Sequence, residues 1–195
     1  MGVEAPADPL ARGEEALRSG DWEGARSAFE AALELDEGPF AHDGLGRALW
    51  WLSDADGAIE HRERAFVLFK ETDPIRAGTI AIWLAREHLA ANGNDAAANG
   101  WLARAERLLG GEGPERGWLE IARGRRADDL AERDRRARVA LDLAREAGEE
   151  DLEVAALAEL GLAEIQAGRV PEGLDHLDEA MAAATGGEAD MLETV

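Results

Sequence analysis

The chain has 195 residues, 46% of them apolar, and a formal charge of −21. Such a chain can bury a core, and its acidity opposes phosphate backbones and anionic bilayers, so neither nucleic acid nor membrane is an expected partner. It has no cysteine, which excludes disulfides, thiolate metal sites and cysteine nucleophiles.

The N-terminus, MGVEAPADPLARGEEAL, lacks the basic start and apolar run of a secretory signal. No apolar run approaches the roughly 20 residues that span a bilayer. The expected location is cytoplasmic. Strand signals are almost absent, and Ala, Leu, Glu and Arg, which favour helices, dominate. Breakers recur at Ser19-Gly20, Gly38-Pro39, Ser53-Asp54, Asp73-Pro74, Asn92-Gly93-Asn94, Gly110 to Pro114, Gly148, Gly168 and Gly186-Gly187. The segments between them have the length of ordinary helices. Ten helices in five pairs are predicted: 8–19 with 22–36, 39–52 with 55–72, 74–91 with 95–110, 114–127 with 130–147, and 150–167 with 171–185. The five repeats are therefore about 8–36, 39–72, 74–110, 114–147 and 150–185 of a single domain over 1–195. The segment 186–195 reads as the start of a further helix.

The second helix of each pair carries an alanine with an apolar residue three positions on: Ala32/Leu35, Ala65/Leu68, Ala105/Leu108, Ala140/Leu143 and Ala180/Ala183. Its apolar face is read as Ala25, Phe29, Ala32 and Leu35 in the first pair, and Leu174, Leu177 and Met181 in the last. A small residue at one recurring place marks the close approach of two helices. These features give an all-α chain of stacked helix-turn-helix units, each too small to bury its apolar face alone.

Segment 20–36, GDWEGARSAFEAALELD, resembles the second half of a tetratricopeptide repeat, with Ala25, Phe29 and Ala32 as its packing residues. Segment 44–65 resembles a repeat through Leu45-Gly46, Ala58 and Ala65. Segment 159–181 does so through Leu160-Gly161, Gly168, Gly173 and Ala180. The resemblance implies a right-handed superhelical solenoid of about five repeats, with the first helix of each pair lining a concave groove. The fourth unit departs from the pattern: Arg133 stands where a small residue is expected and Ile121 where a glycine is expected. That pair should be loose or offset. The segments 44–66 and 157–188 also resemble the helical-repeat region of large bacterial LuxR-type transcription regulators. That resemblance implies a sensor or interaction region whose DNA-binding part is not in this chain.

The register sorts the candidate binding residues. On the first helix of the second unit, Phe40, Asp43, Arg47 and Trp50 share a stripe. Trp83 and Glu87 take the same face in the third unit, and Trp118, Arg125 and Arg126 in the fourth. Aromatics and arginines are the usual binding anchors, and the competing reading is that these tryptophans fill gaps between helices. Trp22 and Trp101, on second helices, read as packing residues.

His42, His61, His88 and His176 form no metal spacing and read as exposed and structurally neutral. Carboxylate pairs such as Asp128-Asp129 read as solvated helix faces, and the Arg123–Arg145 stretch as exposed i,i+4 ion pairs. No catalytic constellation emerges, so no enzyme activity and no cofactor are expected. The expected function is a binding scaffold for a protein or peptide, with a small-molecule effector as a further ligand class. It is either the sensor region of a LuxR-type regulator or a free-standing adaptor. Leu174, Leu177 and Met181 of the last unit should be partly exposed, which predicts self-association.

Overall fold

The computed structural model describes residues 8–186. Among them are ten helices and no strand: α1 (Pro9–Arg18), α2 (Trp22–Leu35), α3 (Pro39–Trp51), α4 (Ala55–Phe69), α5 (Pro74–Asn92), α6 (Asp95–Leu108), α7 (Pro114–Gly124), α8 (Leu130–Ala147), α9 (Glu150–Gln166) and α10 (Val170–Gly186). Every boundary falls within three residues of its expected place. The starts are set by local chemistry. Asp21, Asp54, Asp73 and Asp129 each accept a backbone N–H of the first turn, and proline begins α1, α3, α5 and α7. Both devices satisfy or remove donors that a helix N-terminus leaves open. The further helix expected over 186–195 lies, beyond Gly186, outside the described residues.

The helices sort into two compact units, one ending at Ala98 and the other beginning at Asn99, with the boundary inside α6. In the first unit each helix from α1 to α5 packs on the next, and α1 also touches α3. In the second, α7 to α10 do the same, and α7 touches α9. Each unit is thus a stack of helix pairs.

The packing follows the alanine register. Ala32, Ala65, Ala105, Ala140 and Ala180 are all buried. In α2, Phe29 is fully buried in a cradle that lacks side chains on two sides: a Cβ at Gly13 or at Gly44 would collide with its ring. In the last pair, a Cβ added at Gly161 would lie 2.7 Å from the Gly173 carbonyl oxygen. There the two backbones touch.

One expectation about the apolar faces is corrected. Leu35 is 77% exposed, not part of the α2 core face. It is the last residue of its helix, and the chain turns extended at Asp36. In the fourth pair, the close approach falls at Gly124, one turn after Ile121. A Cβ there would be 3.9 Å from the Arg133 carbonyl oxygen, against 3.0 Å between Gly46 and the Ala58 oxygen in the second pair. The pair is both offset and looser, because the Arg133 side chain stands where Ala25, Ala58 and Gly173 let the helices close. In α10, Leu174 and Met181 are exposed as expected, and Leu177 is half-buried.

Candidate functional site

In the first unit, the first helices of three successive pairs contribute to one row of side chains. The Arg86 guanidinium lies 4.8 Å from the centre of the Trp83 ring and 5.8 Å from that of Trp50. It joins α5 to α3 by cation–π attraction. Arg86 stands one helical turn from Trp83, on the same side of α5. Arg47 of α3 reaches Glu14 of α1 at 3.5 Å. Trp50, Trp83, Arg86, Arg47 and Glu14 are all half-buried, so each keeps surface open to a ligand.

The other expected members of this stripe are placed differently. Phe40 is exposed and packs its ring edge-on to Phe69, with centroids 5.0 Å apart. Arg76 lies 4.6 Å over Phe40 and 3.6 Å from the carboxylate of Asp43, which is itself buried. Phe40 and Asp43 therefore form a second cluster around Arg76. Glu87 does not face a groove. It is buried and lies 3.0 Å from the equally buried Arg62, whose guanidinium also approaches Trp83 at 5.5 Å. The register held the signal that sequence reasoning missed. Arg62 occupies in α4 the place that the buried Phe29 occupies in α2, and a buried cation needs a buried anion.

In the second unit, Trp118 is half-buried against a core of Ile121, Leu152 and Leu157. Arg125 pairs with Glu159 at 2.7 Å and Arg126 with Asn99 at 3.0 Å. Of the two tryptophans read as packing residues, Trp101 is buried and Trp22 stacks on Trp51, with ring centroids 5.1 Å apart. The Arg123–Arg145 stretch includes the expected i,i+4 pairs, such as Arg136 with Glu132 at 2.6 Å. Many of its bonds instead cross between helices. Glu120 receives Arg136 at 2.5 Å, and the buried Glu164 of α9 receives Arg138 at 2.5 Å and His176 at 2.8 Å. Arg138 also bonds Asp134 at 2.8 Å and holds its carboxyl below the usual range, as Arg116 does for Glu106.

The histidines are not the neutral surface residues expected. His42 is buried, and its Nδ1 lies 2.9 Å from Nδ1 of His61 across the α3–α4 contact. His176 bonds Glu164, and His88 lies 3.4 Å from Glu63. Each imidazole finds its partner on another helix, which no sequence neighbour reveals. Burial lowers the pKa of both His42 and His61, and their proximity lowers that of His42 further. A proton shared along the His42–His61 bond requires one ring to accept, so both cannot be charged.

Because these folded-state values lie below the unfolded value, near 6.5, the unfolded chain takes up protons first as pH falls. The contribution is complete above about pH 6.5 and is lost as pH drops through that value toward the folded pKa values. Acid titration of unfolding should show stability falling as pH drops below about 6.5. The loss should begin before the carboxylates titrate and be absent in His42→Phe/His61→Leu. A flat profile between pH 7 and pH 5 would contradict it.

Among the described residues, no group of three or more His, Asp or Glu is placed to hold a metal ion, and no helix is long and apolar enough to cross a membrane. No family model matches the sequence, and no curated protein matches it. Solved structures do. The chain is 22% identical to one chain of the APC/C hetero-tetramer Cut9-Hcn1, with a TM-score of 0.76 over 91% of this chain and 33% of that one. It spans about a third of that protein's length. It is 20% identical to a thermophilic TPR protein of Thermus thermophilus, with a TM-score of 0.68 and 97% of each chain covered. It is 17% identical to a Podospora anserina putative kinesin light chain with nearly identical TPR-like repeats, at a TM-score of 0.61, over 95% of this chain and 99% of that one. At these identities the likeness concerns architecture alone: this chain has the helix-pair repeat fold of the tetratricopeptide proteins.

Proposed function

We propose that the chain is a non-enzymatic, cytoplasmic scaffold that binds a segment of a partner protein on the Trp50–Arg86–Trp83 row of its first unit. One observation carries this reading. Two half-buried tryptophans from neighbouring first helices share one arginine, so three side chains of the types that dominate binding energy converge with part of each left open. The arginine holds both rings before any ligand arrives, which reduces the ordering cost of association. Arg47 and Phe40 of the same unit are secondary contacts on this reading, and Trp118, Arg125 and Arg126 of the second unit are a separate candidate surface.

A displayed peptide library selected on the full chain tests the proposal. Selected peptides should change tryptophan fluorescence, and Trp50→Ala or Trp83→Ala should each weaken them by roughly 30-fold, the effect of an anchor of about 2 kcal/mol. Peptides that bind equally well to both variants would place the partner elsewhere.

The narrower reading, a sensor region of a LuxR-type regulator, is supported by the resemblance of segments 44–66 and 157–188. A helix-turn-helix in the same reading frame is its expected accompaniment, and a reading frame without one favours the adaptor. Self-association through Leu174 and Met181 belongs to the same proposal. Sedimentation of the full chain should show a concentration-dependent dimer that Met181→Glu abolishes.

A further inference from the structure

In four of the five repeats the second helix carries a small residue, a large one four positions on, and an alanine three beyond that. These are Ala25–Phe29–Ala32, Ala58–Arg62–Ala65, Ala98–Leu102–Ala105 and Gly173–Leu177–Ala180. The fourth repeat inverts the first two members: Arg133, then Ala137, then Ala140. Ala137 stands where Phe29 stands in its repeat, and Ile121 stands where Gly13 does, so the large side chain has moved to the facing helix. A cavity of about 250 Å³ lies at this place. Its apolar wall is Ile121, Ala137, Leu162 and Ala163, and its polar wall is Arg125, Arg133, Glu159 and Gln166.

The charges of the polar wall do not cancel. Arg125 and Glu159 neutralise one another at 2.7 Å. Arg133 donates from Nε to the Ala127 carbonyl oxygen at 2.7 Å and from Nη1 to the Gln166 side-chain oxygen at 3.1 Å. Both acceptors are uncharged, and among the described residues no carboxylate lies within ion-pair distance of it. A half-buried guanidinium is thus held rigidly by neutral groups in a chain rich in acids. It keeps its full charge and further N–H donors in the fork geometry that suits a carboxylate. The cavity is smaller than the sites that enclose drug-sized ligands.

We infer that this cavity binds the carboxylate of a small organic acid, with the carboxylate on Arg133 and a short branched apolar tail against Ala137, Leu162 and Ala163. The inference concerns the second unit and does not rest on the tryptophan row of the first.

The test uses the full chain, labelled with ¹⁵N, titrated with 4-methylpentanoate and with N-acetyl-leucine, and with the neutral amide of each. The two acids stand for a free metabolite and for the end of a peptide chain, and the tighter of them identifies the source. Saturable shifts of the Gly124 and Ala163 amide signals are expected with one or both acids and with neither amide. Arg133→Ala restores the residue type of Ala25 and Ala58, so it should keep the helical signal and weaken binding about tenfold or more. Ala137→Leu should block binding by filling the cavity, and it serves as the check if Arg133→Ala unfolds. Equal shifts with acid and amide, unchanged affinity in Arg133→Ala, or no saturable shift with either acid would overturn the inference.

Discussion

Glu87→Leu is expected to destabilise the first unit by about 3–5 kcal/mol, because it leaves the Arg62 guanidinium in the core without its counter-charge. The two side chains are each almost fully buried, 3.0 Å apart, on α4 and α5. Desolvating both charges is costly, and their attraction offsets that cost only while both are present. The double variant Arg62→Met/Glu87→Leu should therefore recover most of the loss, and it has the volume to fill the site with apolar atoms. Denaturant unfolding followed by circular dichroism gives the three free energies of the cycle. Because stacked repeats need not unfold in one step, hydrogen exchange of the α4 and α5 amides should accompany it. A single variant within about 0.5 kcal/mol of the parent (the scatter about zero of an ordinary surface substitution) would mean that the pair is solvated in solution.

Phe29→Ala should cost about 3–5 kcal/mol, the usual cost of removing a buried aromatic ring. Here the cost should lie toward the upper end, since the walls nearest the ring are Gly13 and Gly44, which have no side chains with which to collapse. The same geometry predicts a sign change. Gly44→Ala alone should destabilise the chain by pressing its new methyl against the ring. In the Phe29→Ala background that methyl occupies empty space, and alanine is the better helix former by about 1 kcal/mol. Gly44→Ala should then be neutral or stabilising. Equal effects in both backgrounds would show that ring and glycine are not in contact.

The helices were legible because their signals are local. Aspartates and prolines mark the starts, and Gly93 and Gly148 end α5 and α8 in the left-handed conformation. The buried alanines were legible because a period of repeats averages over many local accidents. The candidate site was legible only in part. The register puts Trp50 and Trp83 on matching stripes of α3 and α5, but it does not show that Arg86, one turn from Trp83, approaches both rings. The same register puts Glu87 on that stripe, yet Glu87 is buried against Arg62. A helical stripe tells which residues share a side of one helix, and it does not tell what packs on that side.

The amino-acid sequence by itself determined the ten helices and the recurring alanines that are buried in five of them, since capping, breaking and small-residue spacing act within a few residues along the chain. It also located the irregular fourth repeat at Arg133. Only the tertiary structure decided the partners of the charges: Arg62 with Glu87, His42 with His61, Glu164 with Arg138 and His176, and Arg133 with neutral oxygens beside a cavity. Those pairings join residues on different helices. Whether a charge is buried, matched or left facing a cavity depends on distances that periodicity does not contain.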